Sequence, residues 1–134
     1  MAITWVWDNE EKTIIRYIFQ GAWGWEDFYQ ILAEVHTTMD NVDHPVNLII
    51  DVRKSGILPT NALSNISRLR NAPASPNTGR AVLIGGNMFI QRLYVMLHKL
   101  YPEMVKQFSL AQTLEEAQAI LSQPLENSAP EKAT

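Results

Sequence analysis

The sequence lacks several features that would assign it to a particular class of protein. It contains no cysteine, so disulfide bonds and thiolate chemistry are excluded. Its first residues do not combine a basic segment with an apolar one, which is the pattern of a secretory signal. The most apolar stretch, residues 81–97, is interrupted by Asn87, Gln91 and Arg92, so it is too short and too polar to span a bilayer. These absences predict a cytoplasmic protein without a membrane span.

Acidic residues are missing from the middle of the chain. Residues 52–102 carry seven bases and no acid, whereas residues 1–51 carry nine acids and two bases. The formal net charge of −3 therefore hides a segregation of charge, which matters only if the fold keeps it in space. Nucleic-acid binding is not expected, because residues 52–80 contain no aromatic side chain among their bases.

No arrangement of catalytic or metal-binding residues can be recognised in the sequence. The three histidines, His36, His44 and His98, have no spacing to one another or to a carboxylate that suggests a metal site. None of them follows the end of a predicted strand beside Asp51, where a hydrolytic triad would need a base. The sequence therefore predicts a non-enzymatic protein without a metal or a cofactor.

The length and composition fit one domain with a proper core. The chain has 134 residues, of which 46% are hydrophobic. From Ser122 onward the sequence is polar and contains Pro124 and Pro130. We expect a single domain over residues 1–121 and a disordered tail over residues 122–134.

The fold is organised around residues 46–52, with the sequence Val-Asn-Leu-Ile-Ile-Asp-Val. Pro45 precedes this run and Gly56 follows it. A short, mostly apolar run of this kind is typical of a strand that is buried on both faces of a parallel sheet. Asp51 arrives where the strand ends, and ligands of open α/β sheets bind at that end. The segment from Asp51 to Leu63 is therefore the first place to look for a site.

The rest of the chain alternates between strands and helices. Strands are predicted at residues 3–8, 13–20, 81–84 and 107–111, and the first two form a β-hairpin. Helices are predicted to open near Trp25, after Thr60 or Asn61, after Asn87 and after Thr113, whose capping box ends at Glu116. This order predicts an α/β fold with a mixed five-stranded sheet, made of an antiparallel hairpin and parallel strands, and about four helices.

Each predicted helix has one apolar face. The expected inner faces comprise Phe28, Ile31, Leu32, Val35 and Met39 in the first helix, Leu63, Ile66 and Leu69 in the second, Phe89, Leu93, Met96, Leu97 and Leu100 in the third, and Ala117, Ile120 and Leu121 in the last.

This order of elements, with Asp51 at the end of the central strand and a helix nine or ten residues later, resembles the STAS domain, the fold of the bacterial anti-sigma-factor antagonists. Four sequence motifs resemble the pattern of a STAS-like branch. They are Gly21-Ala22-Trp23-Gly24-Trp25-Glu26-Asp27-Phe28 after the hairpin, Leu48-Ile49-Ile50-Asp51-Val52-Arg53, Gly85-Gly86-Asn87, and Thr113-Leu114-Glu115-Glu116-Ala117. The details are most similar to a STAS-like branch of small bacterial proteins. The resemblance covers residues 3–121 and implies a regulatory or interaction module.

The resemblance also implies where a phosphorylation switch would lie. The antagonists carry an acceptor serine at the start of the helix after the central strand, and that position falls on Asn61. The acid of their loop is replaced by Pro59. Because asparagine cannot accept a phosphate, no phosphorylation is expected there. Thr60 is the nearest hydroxyl, and a role as a helix cap is expected for it.

The candidate site residues lie at the carboxyl end of the predicted sheet. Asp51 could act as a general base, but an Asp at a strand end more often accepts N–H bonds from the following turn. Arg53, Lys54 and Arg92 are predicted to form an anion-accepting edge beside Gly86 and Asn87. The edge would bind an acidic surface, possibly the acidic first helix of a second copy, which would give a homodimer. The alternative is that each base pairs with an acid of its own chain.

Four tryptophans lie within the first 25 residues. Trp5 and Trp7 share one face of a strand, whereas Trp23 and Trp25 flank Gly24 in a loop, where one could bind an apolar ligand or a partner. The function predicted first is a non-enzymatic STAS-like module that binds a protein partner. The alternative is a carrier or sensor of a small apolar or anionic ligand, such as a lipid or a nucleotide. A closed apolar pocket lined by Met88, Met96 or Trp25 would favour the alternative.

Overall fold

The computed structural model describes residues 2–71, 75–85, 88–106 and 108–123. Its strands and helices, in chain order, are β1 (Ile3–Trp7), β2 (Ile14–Gly21), α1 (Trp25–Asp40), β3 (Val46–Ser55), α2 (Ala62–Asn71), β4 (Thr78–Ile84), α3 (Met88–Leu100), α4 (Pro102–Val105), β5 (Phe108–Ala111) and α5 (Leu114–Ser122).

The strands form one five-stranded sheet in the order β1-β2-β3-β4-β5. The β1–β2 pair is antiparallel, and the other three pairs are parallel. The predicted α/β class, the mixed sheet and the central position of β3 are therefore confirmed. In the described residues, four helices have nine residues or more, and α4 is a short addition that begins at Pro102.

The two faces of the sheet are covered unequally. One face packs against α1, α2 and α3, and its core contains Ile15, Tyr17, Phe19 and Val35. The other face packs against α5, where Ile49, Val82 and Ile84 contact Ala117 and Leu121. Ile49 is completely buried, as expected for the central strand.

A β-bulge in β3 lies opposite Phe19. Ile18 pairs with Asp51 and Gln20 pairs with Lys54, so two residues of β3, Val52 and Arg53, face one residue of β2. Such an insertion bends a strand and redirects the side chains that follow it. β3 consequently runs three residues beyond the predicted end at Val52.

Two residues of the predicted inner faces are exposed instead. Leu63 is 53% exposed, so α2 packs through Ala62 and Ile66 instead. Leu100 is 49% exposed, because it is the last residue of α3. The side chain of Phe89 and the residues Gly86 and Asn87 lie outside the described part of the chain. Among the described residues, no helix has both the length and the apolar character needed to cross a membrane.

Candidate functional site

An apolar cavity lies between the sheet and the three helices that pack on one of its faces. It has a volume of about 140 Å³, and its surface is wholly apolar. Its walls come from seven elements and two loops. The lining residues are Phe19, Trp23, Trp25, Phe28, Ile50, Val52, Leu58, Ile66, Leu69, Leu83, Leu93, Tyr94, Leu97, Phe108 and Leu110.

The cavity extends across four strands. Its sheet wall is formed by Phe19 of β2, Ile50 of β3, Leu83 of β4 and Leu110 of β5. Because adjacent strands lie about 4.8 Å apart, these four strands span about 14 Å. The cavity is therefore elongated and runs across the strands.

An aromatic cluster closes the cavity at the β2 end. The ring centroids of Phe19 and Trp23 lie 5.0 Å apart at 68°, and those of Trp23 and Trp25 lie 5.1 Å apart at 78°. Phe28 adds a third neighbour to Trp23, at 6.2 Å. Edge-to-face contacts of this kind favour one fixed arrangement of the rings.

Both indole N–H groups of this cluster bind protein oxygens. Trp23 donates to the hydroxyl of Ser55 at 2.8 Å, and Trp25 donates to the carbonyl of Thr60 at 2.9 Å. Since neither N–H needs a further acceptor, the tryptophans can present carbon surface to the cavity. These bonds also tie the start of α1 to the loop between β3 and α2.

That loop supplies one wall of the cavity through Leu58. Its first residue, Gly56, donates its N–H to the carbonyl of Gly21 at 2.8 Å. Its last residue, Asn61, has a φ of +64°, a conformation that asparagine tolerates better than most residues. Between them, Ile57 is 89% exposed. The loop thus exposes Ile57 and half-buries its neighbour Leu58.

The cavity reaches the surface between α3 and β5. Tyr94 of α3 and Leu110 of β5 both line it, and their side chains remain 37% and 41% exposed. On α3, Met96 packs toward α2 with Trp25 and Ala62, so Tyr94 and His98 occupy the opposite flank. The cavity mouth, which we define by Tyr94 and Leu110, therefore lies at the outer edge of the sheet.

Asp51 forms an ion pair with Arg53 on the other face of the sheet. The Arg53 guanidinium donates to both carboxylate oxygens, at 2.9 and 2.8 Å, and its backbone N–H donates to Oδ1 at 3.1 Å. Burial opposes ionisation of Asp51, but the hydrogen bonds and the charge of Arg53 outweigh it and lower its pKa. The same pair raises the pKa of Arg53. The structural interpretation of Asp51 as an acceptor of N–H bonds from following residues is supported.

For Arg53 the structure shows the alternative interpretation, in which the base pairs with an acid of its own chain, because Asp51 binds it. Asp51 pairs in register with Ile84, which belongs to the core beneath α5. Arg92 lies on α3, which packs on the opposite face. The predicted edge therefore does not bring Arg53 together with Arg92. Lys54 and Arg92 form no ion pair within the described residues.

The predicted caps of α2 are not observed. Thr60 contributes its carbonyl to Trp25, and Asn61 contributes its carbonyl to the N–H of Asn65 at 3.1 Å. In the described hydrogen bonds, neither side chain accepts from an amide of α2. The left-handed backbone of Asn61 explains this, since an N-cap residue normally has an extended conformation. Gly86 and Asn87, predicted to bind an anion, lie outside the described residues.

The histidine and carboxylate side chains of the described residues do not form a further candidate site. Within the described ranges, no group of three His, Asp or Glu side chains is placed to hold a metal ion. His98 stacks on Tyr94 with ring centroids 6.1 Å apart. His44 contacts the carbonyl of Pro45. Neither histidine is hydrogen-bonded to a carboxylate in the described part of the chain.

Comparison with models of protein families finds no match, and comparison with curated proteins finds no relative of this chain. The STAS-like resemblance therefore stays a prediction from the motifs.

Sequence reasoning found two cavity residues, Trp23 and Trp25, as candidates and missed most of the others. Met88 and Met96, which it named with Trp25, do not line the cavity, and Met88 is 61% exposed. The missed residues, such as Phe19, Leu83 and Phe108, look like ordinary core positions of strands. Only the loop residue Leu58, an apolar side chain beside Pro59, carries a local signal that could have indicated a role.

Proposed function

We propose that the protein is a non-enzymatic binding domain that carries or senses a small, uncharged, apolar molecule. The observation behind this proposal is the wholly apolar cavity of about 140 Å³, which Trp25 helps to line. A cavity of about 150 Å³ lined by apolar side chains stays dry and binds benzene-sized molecules. The ligand class is therefore a single ring or a short hydrocarbon, with any larger part leaving through the cavity mouth.

The anionic and nucleotide alternatives are not favoured for this cavity. A charged group moved into apolar surroundings without a partner loses its hydration and gains nothing in return. The lining contains no basic side chain and no polar surface that could replace water. A nucleotide would leave its phosphates unpaired there.

A protein partner remains the second candidate function. Ile57 and Leu63, at the carboxyl end of β3 and the start of α2, are 89% and 53% exposed. Large exposed apolar side chains can contribute to an interaction surface. A phosphorylation switch at position 61 is not part of the proposal, because Asn61 has no hydroxyl.

The proposal is tested by binding of toluene, with benzoate as the charged probe of similar size. Saturable shifts of the Trp23 and Trp25 indole N–H signals by NMR are expected with toluene but not with benzoate. Toluene should also raise the melting temperature, by an amount that grows with the logarithm of its concentration once that concentration exceeds the dissociation constant. Native mass spectrometry of the purified protein would report any ligand that it retains.

The matched variants are Leu69→Trp and Leu63→Trp, which add the same ring to the same helix. Leu69 lines the cavity, whereas Leu63 is exposed. We expect Leu69→Trp to lower toluene affinity by at least about tenfold, or about 1.4 kcal/mol, because the indole fills the space. Leu63→Trp should bind as the wild type does. Equal affinity in both variants, or binding of benzoate as strong as that of toluene, would contradict the proposal.

A further inference from the structure

An open groove on the surface, separate from the apolar cavity, lies between β1 and α1. It has a volume of about 440 Å³, and its surface is mostly carbon. Trp5 of β1 forms one wall, and a flank of α1 forms the other. The α1 residues that line the groove recur at helical spacing and are Gln30, Ala33, Glu34, Thr37 and Thr38. The one charged group of the lining is therefore the carboxylate of Glu34.

The indole of Trp5 is held in one orientation beside that carboxylate. Its N–H donates to Oε1 of Glu34 at 3.2 Å. The ring packs against the core and meets the ring of Trp7 edge to face, with centroids 6.1 Å apart. Trp5 is nevertheless only half-buried, so part of its ring remains accessible from the groove. The groove thus combines a fixed aromatic surface with a negative charge.

The charges around the groove favour a cation. Glu34 is exposed and forms no ion pair with any residue in the described part of the chain. Helix α1 carries three further acids and no lysine or arginine, and its histidine, His36, does not line the groove. Lys12 lies over the ring of Trp7, with Nζ 6.0 Å from the centroid, and it does not line the groove either. No basic side chain of the lining therefore competes for the ring of Trp5.

The balance of carbon surface and charge indicates which cation fits. A primary ammonium group carries three N–H donors that need acceptors, and this lining offers little polar surface to replace water. A quaternary ammonium group has no N–H donor. Its methyl groups pack on carbon, while its charge is attracted by the face of a tryptophan ring and by a nearby carboxylate.

We propose that the groove between Trp5 and Glu34 binds ligands through a quaternary ammonium group. The methyl groups of the ligand lie on the indole ring, and the Glu34 carboxylate balances the positive charge. This site differs from the apolar cavity in both position and ligand class, so it does not depend on the function proposed above.

The test uses choline and the uncharged alcohol in which a carbon atom replaces its nitrogen. Choline should give a saturable shift of the Trp5 indole N–H signal by NMR, assigned by its absence in Trp5→Phe. The uncharged alcohol should bind at least about fivefold more weakly, because it loses the attraction to the ring and to the carboxylate. Ethanolamine, a primary ammonium, should also bind more weakly than choline. Added salt should weaken choline binding and leave binding of the alcohol unchanged.

The matched variants are Glu34→Gln and Glu26→Gln, which each remove one carboxylate from α1. Glu34→Gln keeps an oxygen that can accept from Trp5, and it should lower choline affinity by about threefold or more. Glu26 is exposed and lies outside the groove, so Glu26→Gln should bind choline as the wild type does. By calorimetry, Trp5→Leu should lose choline binding, whereas Trp5→Phe, which keeps a ring, should retain part of it.

A quaternary ammonium group can belong to a soluble molecule or to a lipid headgroup. Cosedimentation with phosphatidylcholine vesicles that is reversed by choline would assign the groove to the headgroup. Binding of choline without binding of vesicles would assign it to a soluble ligand.

Three results would overturn the inference. These are the absence of a saturable shift with choline, equal affinity for choline and either the alcohol or ethanolamine, and equal effects of Glu34→Gln and Glu26→Gln. Loss of toluene binding would leave the groove intact, so the two proposals fail separately.

Discussion

At the scale of single residues, Asp51 shows how a buried carboxylate remains charged. Its side chain is only 10% exposed, yet Arg53, two residues away on the same strand, reaches both of its oxygens. Residues at i and i+2 share a face of a strand, so the spacing itself indicated the pair. Arg53 is 42% exposed, which keeps the guanidinium hydrated on its outer side.

Replacement of Asp51 by asparagine should lower the free energy of unfolding near neutral pH by about 1–3 kcal/mol, because the charged hydrogen bonds are lost. The pKa of Asp51 is lowered in the folded state. Its contribution is therefore present above the unfolded-state pKa of about 3.9, and it is lost as the pH falls through the folded-state pKa. Urea denaturation at a series of pH values should show that the free energies of unfolding of the wild type and of Asp51→Asn become equal in acid.

The control for that experiment is Asp43→Asn. Asp43 is exposed and has no hydrogen bond among the described residues. Its replacement should change stability by less than about 0.5 kcal/mol. A difference between wild type and Asp51→Asn that stays constant down to strongly acid pH would show that the carboxylate charge is not the cause.

At the scale of elements, α5 depends on its first turn. The Thr113 hydroxyl accepts from the N–H of Glu116 at 3.0 Å, and Glu116 accepts from the N–H of Gln112 at 2.9 Å. At the other end, Arg80 donates to the carbonyls of Leu121 and Gln123, at 3.1 and 2.6 Å. In the described structure α5 is the helix that covers the second face of the sheet. The hydrogen bonds at its two ends therefore help to keep that face buried.

Thr113→Ala should destabilise the protein by about 0.5–2 kcal/mol, because one amide of α5 loses its acceptor. The matched control is Thr60→Ala, since the Thr60 side chain precedes a helix without capping it. That control should cost less than about 0.5 kcal/mol. The measurement is denaturant unfolding of both variants, and equal losses would mean that the cap of α5 contributes nothing.

Most elements could be predicted because their apolar periods are regular. The face of α1 with Ile31, Val35 and Met39 is buried as its spacing predicts, and Thr113 caps α5 as its capping box predicts. The absence of a side-chain cap on α2 could not be predicted, because asparagine is a favoured cap residue and its left-handed backbone at position 61 is visible only in the structure. The bulge in β3 could not be predicted either, because it is set by the match between two strands distant in sequence.

The cavity is the part of the site that sequence patterns could not give. Its lining comes from separate elements whose side chains meet only after the crossovers are made. A core position in contact with a neighbour and a core position facing a void have the same apolar residue types. Whether a core position faces a neighbour or a void depends on how α2 and α3 are placed above the sheet. The spacing of apolar residues in the sequence does not specify that placement.

At the scale of the whole molecule, the basic middle of the chain does not form one patch. Arg53 lies on the α5 face with Asp51, and Arg80 binds the end of α5. Arg68 stacks over the ring of Tyr29 with its guanidinium carbon 4.5 Å from the centroid. The fold therefore separates basic residues that are close together in the sequence. Charge-driven association through Arg53, Lys54 and Arg92 acting together is not favoured.

Removal of residues 125–134 should shift the melting temperature by less than about 2 °C, because so polar a segment has little apolar surface to bury. The matched control removes residues 120–134, which takes away the buried Leu121 and the two carbonyls that Arg80 binds. That deletion should lower the melting temperature by many degrees. Thermal unfolding of both truncations is the measurement, and a large drop for the shorter deletion would show that the tail docks.

The strand order of the sheet is also the order of synthesis. Each strand after the first pairs with the strand that was synthesised just before it. A newly made strand therefore always has its partner already available. Chains emerge from the N-terminus at about 5–20 residues per second, slowly enough for such pairs to form one at a time. Short sequence separation between partners also favours rapid folding. The second face of the sheet, in contrast, stays uncovered until α5, which follows all five strands in the chain, is made and packs against it.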